Sequence, residues 1–212
     1  MKIVLFGASG LTGQQLIEQG LAQGQEITAF VRNASTLTEK KGLKIVVGDV
    51  YDANAVAQAI SGHGAVLTAL GARSLKNESD LLEVASKNIV AGMRKAGVKR
   101  LIVLGAAGAL KDAGKHQNPG TRWVLWLLKR TLLKHAFRSS AAQEKTVTAS
   151  GLDFTVALPP QLTNGPHLGN YRVSVDGLPK GGMKISRADL ADFMLRQLRD
   201  RTYVGQTPYM AY

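Results

Sequence analysis

Residues 3–13 read IVLFGASGLTG, which is a short apolar run, a glycine-rich turn and the first residues of an amphipathic helix. In such a turn Gly7 permits a tight bend, Gly10 lets the backbone approach a ligand, and Gly13 lets the helix pack closely on the strand. The helix N-terminus offers N–H donors and a positive dipole end, so it favours an anion. The stretch predicts a turn that binds the pyrophosphate of a dinucleotide; a glycine turn without a ligand is the alternative.

Short apolar runs alternate with helical patterns along most of the chain. Strands are predicted at residues 3–6, 27–31, 44–47, 65–68, 100–104 and 153–158, and helices at 11–22, 53–60, about 79–95 and about 141–149. This alternation is typical of βαβ units, whose right-handed crossovers place helices on both faces of a parallel sheet. The sequence therefore predicts an α/β fold with a doubly wound parallel sheet (a Rossmann fold), in which ligands lie at the carboxyl ends of the strands.

Two segments fall outside this scheme. Residues 111–119 form a polar loop that leads into a basic segment with two tryptophans, residues 121–138, and residues 161–182 carry Gly and Pro at short intervals around a strand-like stretch at 171–175. We expect both segments to cover the strand ends. The prediction is one NAD(P)-binding domain, residues 1–212, with a small C-terminal region that caps the substrate.

Composition excludes several classes of site. The chain has no cysteine, so thiol nucleophiles and thiolate metal ligands are excluded, and the four histidines form no pair at metal-ligand spacing. We expect no metal. No apolar run reaches the roughly 18 residues of a membrane-spanning helix, and the N-terminus lacks a signal-peptide layout. A cytoplasmic protein with no membrane span is the expectation.

The formal net charge is +12, and the excess of Lys and Arg is concentrated between residues 111 and 145. A solvated face or an attraction for an anionic small ligand explains such a cluster better than a DNA site, so we expect no nucleic-acid partner. The apolar residues of 123–133, flanked by Lys and Arg, leave a membrane-surface helix open beside a substrate lid or a subunit contact. The expected state is a monomer or a weak homo-oligomer.

The end of the second strand indicates the cofactor. An Asp or Glu there would hydrogen-bond the adenosine ribose of NAD, whereas this chain has Arg32, which can neutralise a 2′-phosphate. We therefore expect NADPH/NADP, with NADH possible; a solvated strand end is the alternative for Arg32. Asp49, after the third strand, either borders the adenine or forms a turn, and the sequence leaves both open.

Several motifs, taken in order, resemble a known family. Beyond the glycine turn they are Val31-Arg32, Val47-Gly48-Asp49-Val50, Leu70-Gly71-Ala72-Arg73, Ser150-Gly151-Leu152, Asp176-Gly177 and the run from Ile185 to Met194. The chain resembles the atypical short-chain dehydrogenase-like, NAD(P)H-binding (NmrA-like) proteins, and within them the biliverdin-IXβ reductase/flavin reductase branch. The resemblance implies a Rossmann-fold, NADPH-dependent reductase.

The motifs and the resemblance together assign two sets of site residues. Those expected to bind the cofactor are Gly7, Ser9, Gly10, Leu11, Thr12, Gly13, Arg32, Asp49, Val50, Leu70, Gly71 and Arg73. Those expected to flank the nicotinamide and the acceptor are Ala106, Ala107, Leu110, Pro160, Gln161 and Leu162. The branch usually has a hydroxyl at Ala106, a histidine at Gln161 and a second basic residue at Thr36, and these departures bear on the substrate.

The sequence lacks a familiar catalytic pair. Many short-chain dehydrogenases protonate a carbonyl oxygen with the Tyr of a Tyr-x-x-x-Lys pair, and none of the five tyrosines has Lys at that spacing. Asp112, Lys115 and His116 are conceivable acids in the loop after the fifth strand, but solvated loop residues explain them more simply. The catalytic residues are therefore unknown.

A reductase without an internal acid suits a conjugated acceptor that draws its proton from water. Flavins, biliverdin-like tetrapyrroles and quinones have this property, and the protein then needs only to stack the acceptor on the nicotinamide. We expect an NADPH-dependent oxidoreductase of this type. A non-enzymatic NADP-binding sensor or regulator, which also lacks the pair, is the alternative.

Overall fold

The computed structural model describes residues 1–34, 37–71, 80–107, 114–117, 119–120, 123 and 134–212. A parallel sheet is built from β1 (Lys2–Phe6), β2 (Glu26–Val31), β3 (Leu43–Val47), β4 (Ala65–Thr68), β5 (Arg100–Leu104) and β6 (Asp153–Ala157). The strand order is β3-β2-β1-β4-β5-β6, so the direction of winding changes between β1 and β4. The predicted doubly wound sheet is confirmed, and a ligand crevice is expected at that change of direction.

Helices cover both faces of the sheet. They are α1 (Leu11–Ala22), α2 (Ala53–Ile60), α3 (Leu81–Ala96), α4 (Lys134–Thr148) and α5 (Arg187–Arg196). On one face α1 packs against α5, and on the other α3 lies between α2 and α4. Alternate residues of β1 face the two layers: Val4 lies in the core of the α2 and α3 layer, and Leu5 in that of the α1 and α5 layer. Burial on both faces explains why these strands read as continuous apolar runs.

The C-terminal region contains elements that the periodicity did not predict. They are β7 (Gln161–Thr163), β8 (Arg172–Ser174), β9 (Lys184–Ser186), β10 (Tyr209–Ala211) and α5. β7 pairs in parallel with β9, and β8 pairs antiparallel with β10. Strands of three residues are too short for an alternating pattern, so only the stretch around β8 was predicted. Helix α4 begins at Lys134, before the predicted residue 141, because its first turns carry polar residues that mask the apolar period.

A buried carboxylate ties this region together. Asp189, in the first turn of α5, has no exposed surface, and its Oδ1 accepts the N–H groups of Leu168 and Gly169 at 2.9 and 2.8 Å. Its Oδ2 accepts the hydroxyl of Tyr212 near the end of the chain. Burial alone would raise the pKa of Asp189, but these hydrogen bonds and nearby His167 hold that pKa below its usual value. Residues 168–169, α5 and the C-terminal strand are thus held by one charged group.

None of the helices within the described ranges is both long enough and apolar enough to cross a membrane.

Candidate functional site

The glycine turn joins β1 to α1 at the carboxyl end of the sheet. Gly7 has a φ of +81°, and a Cβ there would lie 2.6 Å from the backbone of Ala69 after β4. A Cβ on Gly13 would lie 2.2 Å from the carbonyl oxygen of Gly7. Any larger residue at either position would push apart the strand ends or lift the helix from the turn, so both glycines have the structural roles that the motif predicts.

Gly10 differs from Gly7 and Gly13 because the protein leaves space around it for a side chain. A Cβ there would meet only the Gly7 oxygen, at 3.4 Å. Gly10 is the N-cap of α1, provides no side-chain cap, and is followed by no acidic residue in the first turn. The first helical hydrogen bond runs from the N–H of Gln14 to the oxygen of Gly10, so the N–H groups of residues 11–13 have no acceptor within the helix. This helix end fits an anionic pyrophosphate group.

A cavity of about 200 Å³, here named the nucleotide cavity, opens beside this turn. It is lined from the turn by Gly7, Ser9 and Gly10, and from the other strand ends by Arg32, Gly48, Val50, Leu70 and Gly71. The fold thus brings together residues from four separate sequence motifs. Arg32 follows β2 with an exposed side chain, which leaves its guanidinium free to turn toward an anion in the cavity.

The other described residues predicted to bind the cofactor do not line this cavity. Leu11 has an exposed side chain, while Thr12 and Gly13 are buried in the first turn of α1 and could contribute backbone N–H groups. Asp49 Oδ1 accepts the N–H of Tyr51 at 3.1 Å, which is the turn-forming arrangement left open by the sequence. Arg73, Thr36, Leu110 and Asp112 lie outside the described residues.

A second cavity of about 270 Å³, here named the acceptor cavity, adjoins the first. Leu70 and Gly71 line both cavities, so the two cavities are adjacent. The ends of β5 and β6 provide Ala106 and Pro160, and β7 provides Leu162. This apolar space lies at the carboxyl ends of the strands, where the sequence predicted the acceptor.

Two residues that were predicted to flank the acceptor do not line the acceptor cavity. Ala107 is buried, and its N–H donates to the oxygen of Pro159 at 3.0 Å, so it links the ends of β5 and β6. Gln161 lies on β7 between Pro160 and Leu162 with an exposed side chain, and it does not line the acceptor cavity. Successive residues of a strand face opposite sides, so Gln161 points away when both of its neighbours point inward.

Helix α4 forms a wall of the acceptor cavity that the sequence reasoning missed. Ala136, Phe137, Ser140 and Gln143 all face it. Their spacing of three and four residues places them on one face of the helix. A helical wheel drawn for residues 134–148 would have shown that they share this face. Ser140 and Gln143 provide the only side-chain hydrogen-bonding groups among the described residues that line this cavity.

Three further ionisable groups do not line the acceptor cavity. Lys115 forms an ion pair with Asp176, and His116 Nε2 lies 3.5 Å from the other oxygen of that carboxylate. Burial raises the pKa of Glu144, on α4, to about 7, but Glu144 does not line the acceptor cavity. No described group that lines this cavity is therefore a ready proton donor of the Tyr-x-x-x-Lys type.

A larger hollow of about 470 Å³ lies at the opposite edge of the sheet. It is lined by Lys2, Glu26, Lys44 and His63 around the amino ends of β1, β2 and β3. His63 is held by Thr28 Oγ1 at 2.8 Å and by the oxygen of Ser61 at 3.1 Å, so its ring nitrogens are already used. Ligands of doubly wound sheets bind at the carboxyl ends, and size alone does not make this hollow the functional site.

Comparisons with known proteins agree with this geometry. A family model described as NAD(P)H-binding matches residues 7–201. The uncharacterized protein YwnB of Bacillus subtilis (strain 168) is 34% identical over 110 residues, which are 52% of this chain and 49% of YwnB. The chain spans about half the length of the curated relatives it matches.

Two solved structures share the fold over nearly their whole length. ChuY, an anaerobillin reductase from Escherichia coli O157:H7, matches with a TM-score of 0.81 and 22% identity, over 100% of this chain and 97% of that chain. A short-chain dehydrogenase/reductase from Veillonella parvula DSM 2008, in complex with NADP, matches with a TM-score of 0.78 and 16% identity, over 100% and 94%. Similarity at these identities is a similarity of fold.

The matched family region includes the glycine turn, the residues that line both cavities and helix α5. This agrees with the resemblance predicted from the ordered motifs. The chain belongs to the NAD(P)H-binding family.

Proposed function

We propose that this protein is an NADPH-dependent reductase that transfers hydride to a flat conjugated acceptor, such as a flavin, a tetrapyrrole or a quinone, without a protein acid. One observation carries the proposal: the nucleotide cavity and the apolar acceptor cavity are neighbours that share Leu70 and Gly71 in their walls. A nicotinamide and an acceptor ring bound in adjoining spaces would be held in contact, and proximity of that kind accounts for much of the rate in such reactions.

The chain's own residues would hold the cofactor at the turn. The N–H groups of residues 11–13 would bind the pyrophosphate, and Arg32 would bind the 2′-phosphate of the adenosine ribose. The bound nicotinamide supplies the hydride. Ala106, Pro160 and Leu162 would exclude water from the ring faces, since their side chains make an apolar surface at the strand ends.

A protein acid is not required for this chemistry. Neither Tyr nor Lys occurs among the described residues that line the acceptor cavity. A conjugated ring spreads the negative charge that hydride brings and takes its proton from water. A simple ketone would develop an alkoxide with no acidic donor beside it, so it would react poorly.

The relatives support a reductase of this class. ChuY, which shares this fold, is an anaerobillin reductase. A structure of this fold also binds NADP.

The test is single-turnover oxidation of NADPH between about pH 6 and pH 9, with FMN, with biliverdin, with a quinone and with a small aliphatic ketone. We expect oxidation by at least one conjugated acceptor, a rate with no bell-shaped pH dependence, and little reaction with the ketone. Fast ketone reduction, abolished by His116→Ala, would contradict the proposal. Tight NADPH binding with no oxidation by any acceptor would instead indicate a sensor.

A further inference from the structure

The wall of the acceptor cavity contains a buried polar atom without a partner. Gln143 is 1% exposed, and its Oε1 makes no hydrogen bond to any described residue. Four buried side-chain atoms in the described part of the chain share this condition, on Gln25, His135, Gln143 and Gln197. Only Gln143 among these four lines the acceptor cavity.

Such an atom calls for an explanation, because nearly all buried polar atoms in proteins are hydrogen-bonded. Ser140 lies one helical turn before Gln143 on the same face, is also buried, and lines the same cavity. The rest of the described lining consists of Leu, Ala, Gly, Phe and Pro residues. An apolar cavity with a few adjacent polar groups is the usual design of a small-molecule site, in which those groups set orientation and specificity.

We propose that Gln143, with Ser140 beside it, determines acceptor specificity by binding the N–H edge of a lactam or imide ring. The inference rests on the proposed reductase function. The amide oxygen of Gln143 needs a donor, and the terminal torsion of Gln turns freely enough to bring that oxygen to the cavity surface. The hydroxyl of Ser140 can donate to the carbonyl next to that N–H.

This arrangement separates the candidate acceptors by their chemistry. A flavin ring carries one N–H between two carbonyl groups, and linear tetrapyrroles carry lactam and pyrrole N–H groups. A quinone has carbonyl oxygens and no donor, so it leaves the Gln143 oxygen unpaired. The site therefore favours N–H-bearing acceptors over quinones of similar size and potential.

The test compares lumiflavin with 3-methyllumiflavin, which has the same ring but lacks the N–H. Flavin fluorescence gives the Kd of each for the protein saturated with NADP⁺, so the measurement needs no turnover. We expect lumiflavin to bind about five- to tenfold more tightly, the effect of one hydrogen bond in a buried site. Gln143→Met should bring the ratio of the two Kd values close to one.

The matched control is Gln197→Met. Gln197 is 2% exposed and also has an unpartnered Oε1, but it lies at the end of α5 and outside the acceptor cavity. This variant should keep the full preference for lumiflavin. If Gln143→Met does not fold, the unmodified protein still decides, because a ratio below twofold between the two flavins overturns the inference. Absence of binding by either flavin also overturns it.

The outcome also separates this inference from the proposed function. If both flavins bind equally and are reduced, the role of Gln143 in specificity is contradicted and the proposed reductase function is supported. If lumiflavin binds with the expected preference while NADPH is not oxidised by any acceptor, the proposed reductase function is contradicted. The role of Gln143 in ligand recognition is then still supported.

Discussion

Arg32 is the residue on which the choice of nucleotide depends. It follows β2, lines the nucleotide cavity and has an exposed side chain. A guanidinium at this place can bind a 2′-phosphate through paired, charge-assisted hydrogen bonds, which are worth about 1.5–3 kcal/mol. Lys44 carries the same charge at the opposite edge of the sheet and lies outside that cavity.

We therefore expect Arg32→Ala to weaken NADPH binding by about ten- to a hundredfold and to leave NADH binding almost unchanged. Isothermal titration calorimetry with both cofactors measures the two affinities. Lys44→Ala is the charge-matched control and should alter neither. Equal affinity of the unmodified protein for NADPH and NADH would contradict the assignment, and Arg32 would then be a solvated strand end.

Among the structural elements, the turn before α1 requires glycine at two positions for different reasons. Gly13 has no room for a side chain, because a Cβ would lie 2.2 Å from the Gly7 oxygen and 2.7 Å from the Cα of Ala8. Gly10 has room on the protein side and a φ of −75°, which alanine also adopts. The requirement at Gly10 therefore comes from the space that a ligand would fill.

Paired alanine substitutions should separate these demands. Gly13→Ala should lower the free energy of unfolding by about 1–3 kcal/mol, because the helix must move away from the turn. Gly10→Ala should cost less than about 1 kcal/mol of stability and weaken NADPH binding at least about tenfold, since its methyl group enters the nucleotide cavity. Urea unfolding and calorimetry measure the two effects. Unchanged NADPH affinity in Gly10→Ala would show that the ligand does not approach this turn.

Some helices and strands could be predicted from sequence patterns, and others could not. The bounds of α1 and α2 were predictable from local periodicity. The doubly wound order of the six strands was predictable from the alternation of strands and helices together with right-handed crossovers. The start of α4 at Lys134 could not be predicted, because Arg138, Ser139 and Ser140 interrupt the apolar pattern although the helix continues through them. Its role in the acceptor cavity depends on packing against α3, a contact between segments far apart in the chain.

At the scale of the whole molecule, Asp189 links three parts of the C-terminal region. Its carboxylate has no exposed surface and binds two backbone N–H groups and the Tyr212 hydroxyl. Its pKa in the folded protein lies below the value in the unfolded chain. Such a group stabilises the fold fully above its unfolded pKa, and this contribution disappears as the pH falls through the folded pKa.

Asp189→Asn should therefore lower the free energy of unfolding by about 2–3 kcal/mol at pH 7, because hydrogen bonds to a buried charge are lost. The difference from the unmodified protein should shrink as the pH falls well below the ordinary Asp pKa, near 4. Urea unfolding at several pH values measures this. Asp200 is the control, since its pKa is also lowered, by Thr202, but at an exposed position. Asp200→Asn should have a small effect, and a constant loss in Asp189→Asn at all pH values would contradict the linkage.

The strands and the first turn could be predicted from the sequence, because they depend on residues that are neighbours in the chain. The family could be predicted from the order of several short motifs along it. A glycine between a buried strand and a helix has the same geometry wherever the rest of the molecule lies. Which side chains meet at the acceptor cavity depends on the packing of elements that are far apart in the chain. Gln161 adjoins two lining residues and yet points away, because side chains alternate along β7. Gln143, which is distant in the sequence, faces the cavity because α4 packs against α3 and β6.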